Sequence, residues 1–489
     1  MKEEIIELTE DVSASPLYSE DFAPVPASKR NWSVGNIAAI WIGMAVCIPT
    51  YMLSSSLINQ GMNWWQALVT IILGNVIVLV PMILNAHVGT KYGIPLPVFL
   101  RLNFGISGSI LASLLRGLVA CGWFGIQTWI GGAAIYQLML VFMPGLANSP
   151  YLGDFMGINL AQLVSFLFFW ALNIYIIYRG IDSIKVLETW AAPFLLIIGA
   201  CMLGWAWWEV GSMSKILDAS YTLSQNSDVD FWKIFWPNLT AMVGFWATLS
   251  LNIPDFTRYA KSQRDQMLGQ ALGLPTTMAF YSFIGIAVTS ATVLIFGEPI
   301  WDPVMLLGKF DSAFVVILSM LGLTIATLST NIAANVVAPA NGIANIAPKK
   351  ISFKMGGYIT GVIGILIFPW KLMADPSGYI FTWLIAYSAL LGAIAGVMIS
   401  DYYIIRKTNL DLAALFKPDG PYKGWNIPAW IAFVASILPV VPGFLVTVGL
   451  VAPETVGSFF VDLYSYAWFV TFGLSFFIYL LIKKAGRES

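Results

Sequence analysis

The chain has 489 residues, of which 58% are hydrophobic and only 10% charged, with a net charge of −1. A soluble protein carries roughly 25% charged residues, so this chain cannot clothe a water-facing surface, and a near-neutral charge excludes a field that gathers nucleic acid. In lipid every backbone polar group is satisfied internally, which leaves helices or a closed barrel. The apolar runs are long and do not alternate, so they predict helices.

The first 30 residues are acidic, with Ser and Pro, and lack the basic start and apolar run of a signal peptide. They read as a mostly disordered cytoplasmic tail. Apolar windows follow at about 35–58, 63–88, 108–141, 157–178, 186–208, 234–256, 268–297, 312–343, 352–374, 377–403, 426–448 and 456–482. That pattern predicts an all-α polytopic membrane protein of about twelve transmembrane helices. Of the 25 Lys and Arg, 20 fall in the tails and in the loops on one side. Four (Lys215, Lys233, Lys309 and Lys371) fall on the other, and Arg116 lies within the third helix. The positive-inside rule places both termini in the cytoplasm, in a cell membrane. A long inner loop near 405–425 separates the last two helices, so the chain divides into a tail (1–30), a ten-helix core (31–404) and a two-helix end (405–489).

Two helices carry breakers. The first reads WIGMAVCIPTY (41–51) and the sixth VGFWATLSLNIPDF (243–256), placing Gly43 with Pro49 and Gly244 with Pro254. Gly and Pro weaken the helical ladder, and freed backbone groups in a bilayer line a cavity or bind something. Breaks in corresponding helices of two five-helix halves point to a transporter site; ordinary kinks are the plainer alternative for either alone. The third helix reads GWFGIQTWIGG (122–132), with Trp123 and Gln127 one turn apart on one face. An aromatic face beside an amide suits a flat ligand that hydrogen-bonds, although an interhelical bond explains a lone Gln equally. The eighth helix reads ATLSTNIAANVVAPA (326–340). Ser329 and Thr330 bond back to their own helix or help hold a hard cation; Asn331 and Asn335 share a face.

The three cysteines (Cys47, Cys121, Cys201) lie apart within apolar runs, and the one histidine, His87, ends the second helix beside Lys91, where a structural role is the expectation. Asp255 and Arg258, three residues apart, read as an interfacial ion pair. No hydrolase or metal site can be assembled, which argues against an enzyme and a cofactor and leaves a membrane enzyme, like a channel, as a remote alternative. Neither charged rings nor repeated carbonyl loops mark a channel.

These motifs, with NAHVGTKYGIPLPVFLR (85–101), NIPDFTRY (252–259), FGEPIWDP (296–303), PWKLM (369–373) and GVMISDYYIIRK (396–407), resemble the nucleobase–cation symporter family of hydantoin, allantoin, cytosine and uracil permeases. The resemblance spans about residues 25–480. It implies a five-plus-five inverted repeat of the leucine-transporter type with two extra helices. The first two helices of each half would form a bundle that moves against a scaffold of the next two, giving alternating access. It implies a substrate between Trp123 and Trp246, with the amides of Gln127 and Asn335 at its edge and Leu384 closing the outer side. Cys47 stands where hydantoin-type members have Gln, and Phe245 where they have Gly.

The family's sodium site would fall on the carbonyls of Gly43, Val46 and Ala326 and the hydroxyls of Ser329 and Thr330. Both hydroxyls are present, and no Lys replaces the ion in 186–208, which favours sodium; proton coupling stays open. Allantoin permeases carry His-Asn where this chain has Val46-Cys47. WIGMAVCIPTY and GMNWWQA (61–67) look more like the uracil and purine transporters. The expected substrate is a nucleobase, uracil first, with hydantoin or allantoin as the alternative.

Overall fold

The computed structural model describes residues 5–179, 185–227, 229–347, 349–375 and 378–488. Helices α1 (Val34–Ala45) and α2 (Ile48–Asn59) make the first span, α3 (Trp64–Tyr92) the second, and α4 (Leu96–Phe104) a short inner connection. The third to fifth spans are α5 (Ile106–Phe142), α6 (Leu160–Arg179) and α7 (Lys185–Val210), followed by α8 (Met213–Asn226) in the outer loop. The sixth span is α9 (Phe231–Asn252) with α10 (Pro254–Thr257), and the seventh is α11 (Gln263–Phe296), followed by α12 (Pro303–Gly308). The eighth is α13 (Ala313–Asn335) with α14 (Val337–Ala344), and the ninth α15 (Phe353–Leu366) with α16 (Pro369–Leu372). In the tenth, α17 (Ile385–Ile399) has a wider helical turn at each end. Last come α18 (Ile427–Ile437) with α19 (Val441–Thr447), and α20 (Ser458–Tyr464) with α21 (Ala467–Glu488).

Among the described residues ten of these helices are long and apolar enough to cross a membrane, and α1 with α2 make an eleventh span bent by 60°. In the ninth window the longest helix is the 14-residue α15, shorter than a full span. No strand occurs among the described residues beyond two isolated bridges.

Local chemistry sets the boundaries. Asn63 caps α3 by accepting from the Gln66 N–H, and the helix stops at Gly93, whose φ of 72° suits glycine. Ser262 caps α11 in the same way, and Gly297 (φ 80°) ends it. Pro49 sits in the first turn of α2, where its missing N–H costs nothing. The chain therefore leaves α1 at Val46 (φ −80°, ψ 84°) and restarts after the extended Cys47.

The sixth span behaves differently from expectation. α9 runs unbroken through Gly244, and the interruption falls at Ile253, where Pro254 opens α10. Gly244 instead permits close packing. A Cβ there would lie 2.8 Å from the Leu384 carbonyl oxygen and 3.0 Å from Ser388 Cβ.

Two packed groups emerge. Spans one, two, six and seven touch one another through α1, α2, α3, α9 and α11, and spans three, four, eight and nine through α5, α6, α13, α14 and α15. This is the bundle and scaffold of the expected inverted repeat. α17 packs on α9 and on α21, against which Gly392 and Gly396 let the two helices close in.

The tail is not the disordered segment expected of its composition: from residue 5 it is fastened across one end of the molecule. Ile6 and Val25 donate to the carbonyls of Lys91 and Gly93. The Arg30 guanidinium donates to the carbonyls of Val25, Thr90, Lys91 and Ile6. Arg101 donates to the carbonyls of Leu17 and Leu415 and to Asn345 Oδ1, between the rings of Phe22 and Phe416. Burial pulls the Arg101 guanidinium down to about 9, so it stays charged at neutral pH. Asp255 and Arg258 do not pair. Asp255 accepts from the Leu96 N–H, capping α4, and Arg258 donates to the Asp21 carbonyl. His87 meets the Tyr402 hydroxyl at 2.9 Å, as a structural histidine would.

Candidate functional site

The site lies where the bundle faces the scaffold. Trp123 and Gln127 come from α5, Phe245 and Trp246 from α9, Asn335 from the end of α13, and Cys47 from the break in the first span. These six line one cavity of about 40 Å³ with Met44, Pro49, Thr248, Leu249 and Ala334. That volume holds about three waters, so a six-membered ring enters only when side chains move.

The aromatic wall is a chain of edge contacts. Phe245 stands edge-on to Trp123 (5.2 Å between ring centroids) and to Trp246 (5.1 Å). Trp246 meets Trp41 edge-on at 5.2 Å. Edge-to-face pairs are favoured because ring edges are positive and faces negative. The Trp246 Nε1 is buried without a hydrogen-bond partner, whereas Trp123 Nε1 donates to the Tyr387 hydroxyl at 3.3 Å.

The polar wall is held by a second rank. Asn335 Nδ2 donates to Asn331 Oδ1 at 3.0 Å, and Asn331 donates to Asn173 Oδ1, Thr128 Oγ1 and the Phe124 carbonyl. Thr330 Oγ1 lies 3.1 Å from Gln127 Oε1, 3.0 Å from the Ala326 carbonyl and 3.3 Å from that of Thr327. Such orientation leaves Asn335 Oδ1 as an acceptor and Gln127 Nε2 as a donor. The Cys47 thiol is 3.3 Å from the Thr50 hydroxyl.

A larger cavity of about 590 Å³ shares Met44, Gln127 and Ala334 with the small one. It runs past Gly43, Ser329, Thr330 and Ala333 to Trp32, Phe256 and Val337. Its far end lies with the tail, since Trp32 pairs with the Tyr259 and Lys261 backbone. Of the five residues expected to hold sodium, Gly43, Ser329 and Thr330 line this cavity. Val46 and Ala326 are buried and line neither cavity. Hydroxyls and carbonyls are the oxygen donors a hard cation takes; Gly43, Ser329 and Thr330 border one cavity, while the Ala326 carbonyl accepts from the Thr330 hydroxyl. Leu384 lines neither cavity; it is fully buried, with its carbonyl against Gly244.

Sequence reasoning missed Tyr387, Trp383 and Tyr379, whose rings pack around Trp123 at 6.2–6.4 Å. A signal was present for Tyr387, which lies one helical turn beyond Leu384.

A family model described as a permease for cytosine/purines, uracil, thiamine and allantoin matches residues 24–471. The chain belongs to this permease family. It is 43% identical over 478 residues to the purine-uracil permease NCS1 of Arabidopsis thaliana, an alignment covering 96% of this chain and 79% of that one. It is 40% identical over 472 residues to the allantoin permease of Bacillus subtilis, covering 96% and 93%. The fold matches the inward-facing conformation of Mhp1 with a TM-score of 0.76 at 24% identity, over 98% of this chain and 96% of that one. The permease is thus a multi-pass membrane transporter and not an enzyme.

Proposed function

We propose that the permease imports a nucleobase, uracil first, together with a sodium ion, by alternating access between bundle and scaffold. The observation that carries this reading is the convergence of Trp123, Gln127, Phe245, Trp246, Asn335 and Cys47 on one cavity, which opens toward the tail end through a second. A uracil ring presents carbonyl, N–H and carbonyl along one edge. The free valences of the polar wall complement it, with Asn335 Oδ1 to accept and Gln127 Nε2 and the unpaired Trp246 Nε1 to donate. The aromatic rings supply stacking faces once Phe245 swings, and stacking of a base is worth about 1–3 kcal/mol. Ser329 and Thr330, which border the inner cavity together with Gly43, support sodium as the coupling ion; protons are the competing choice.

Uptake of radiolabelled uracil, cytosine, adenine, hydantoin and allantoin, with and without sodium, tests both points. Uracil should accumulate, with sodium stimulation. Uptake indifferent to sodium but abolished by a protonophore contradicts the ion, and exclusive uptake of cytosine or adenine contradicts the matched edge.

A hydantoin or allantoin ring is the second reading, since both present the same imide edge and an allantoin permease is 40% identical. Cys47→Gln, which adds an amide at the first-span break, should move preference from uracil toward hydantoin; an unmoved ratio removes Cys47 from the specificity set. The termini lie in the cytoplasm on the charge asymmetry. The structure gathers the tail with the loop residues Gly93, Arg258, Tyr259, Lys349 and Phe416 at one end. A Gln225→Cys thiol should label from outside intact cells and a Lys261→Cys thiol should not; the reverse inverts the topology.

A further inference from the structure

The tenth span reaches the pocket at one point that the substrate reading leaves unused. Tyr387, on α17, is buried, and its hydroxyl makes two bonds. It accepts from Trp123 Nε1 on α5 at 3.3 Å and donates to the Gly244 carbonyl on α9 at 2.9 Å. One oxygen thereby ties the tenth helix to the scaffold and to the bundle at once. Two glycines make the approach possible. A Cβ on Gly244 would lie 2.8 Å from the Leu384 carbonyl, and a Cβ on Gly122 would lie 1.9 Å from the Trp383 ring. Trp383 and Tyr387 pack against each other at 5.0 Å. Farther toward the outer end, Tyr379 lies 6.3 Å from Trp301 and its hydroxyl 3.5 Å from the Pro49 carbonyl. Tyr379, Trp383 and Tyr387 thus cover Trp123 from the outer side, and the larger cavity lies on its inner side.

We propose that Tyr387 is a positioning residue that fastens the outer gate. Its hydroxyl orients the Trp123 ring and holds the tenth helix against the boundary between bundle and scaffold while the inner side is open, and releases when the outer side opens. The proposal rests on the alternating-access reading above, but not on the identity of the ring or the ion. Bundle and scaffold separate on the outer side only if this bridge parts, since its two partners lie on the two moving bodies. Losing the hydroxyl removes that restraint and leaves the ring packing in place, so the equilibrium shifts toward the outward-open state.

The test uses Ala333→Cys, which borders the inner cavity, as a thiol reporter in full-length protein with Cys47, Cys121 and Cys201 replaced by Ala. Maleimide labelling of purified, monodisperse protein reads the inward-open population. Tyr387→Phe should slow labelling about 3- to 10-fold, the effect of one or two net hydrogen bonds. Gly244→Ala, which keeps the hydroxyl but pushes α17 away from the carbonyl that it bonds, should slow it in the same direction and covers the case in which Tyr387→Phe fails to fold. A lowered melting temperature with unchanged labelling in both variants overturns the proposal and leaves Tyr387 as packing. Uracil binding measured on the same Tyr387 and Gly244 variants with Cys47 kept separates the two readings. Slowed labelling without uracil binding keeps the bridge and sinks the substrate; uracil binding with unchanged labelling does the reverse.

Discussion

The first and sixth spans occupy corresponding places in the two halves, and both carry a glycine followed by a proline, yet the two glycines meet different surroundings. In the first span the helix stops at Val46 and resumes after Cys47 at an angle of 60°. Gly43 lies within α1, and a Cβ there would meet nothing within 4 Å. In the sixth span α9 continues through Gly244, and the bare Cα lets the tenth helix press its backbone against it. Neither glycine breaks its helix, since α1 runs through Gly43 to Ala45 and α9 through Gly244; each interruption comes just before the proline, and Gly244 marks a close approach. On the proposed reading, the break at Val46 and Cys47 offers carbonyls to a cation, and α9, continuous through Phe245 and Trp246, offers rings to the substrate.

That contrast can be broken at several points. The largest effect is expected opposite the break. Ser329→Ala with Thr330→Ala leaves three carbonyls for an ion that gathers about six oxygens, so sodium stimulation of uptake should vanish; stimulation retained in the double variant removes the cation from this place. Next comes Gly244→Val, which forces a branched side chain into the Leu384 carbonyl. Overpacking of about 1–3 kcal/mol should cut uptake about 5- to 150-fold, and a rate near wild type would mean that α17 need not approach α9. On the unbroken wall, Trp246→Ala should weaken uracil binding about 5- to 150-fold by loss of stacking, as should Trp123→Ala on α5. Gln127→Ala and Asn335→Ala should each weaken it about 2- to 13-fold on the net value of a hydrogen bond. The smallest effect belongs to Gly43→Ala, which keeps the carbonyl and meets open space. Uptake should stay within about twofold of wild type, and a collapse would show that Gly43 needs more than its backbone.

The spans were legible because composition and helix length are set by the bilayer, whereas the bundle–scaffold division came only from the family that the motifs resemble. Also legible were Trp123 with Gln127 and Asn331 with Asn335, because residues one helical turn apart share a face whatever surrounds them. Tyr387 and Trp383 were hidden for the opposite reason. The chain has 20 Trp and 19 Tyr, and only the fold selects the pair that meets Trp123. The ordered tail was hidden because its main fastenings run from guanidinium groups to backbone carbonyls, such as Arg101 to Leu17 and Arg258 to Asp21. Carbonyls leave no mark in a sequence. The break at Ile253 rather than at Gly244 follows from Pro254, a stronger breaker than glycine, and the packing role of Gly244 required knowing where α17 lies.

The most direct test of the account is a uracil titration, in sodium, of purified and monodisperse wild-type protein beside the Trp123→Ala, Trp246→Ala, Gln127→Ala and Asn335→Ala variants. The account predicts saturable binding by the wild type, a modest loss in each amide variant and a larger loss in each tryptophan variant. Near-wild-type affinity in all four would contradict it, and would leave these residues as packing between helices.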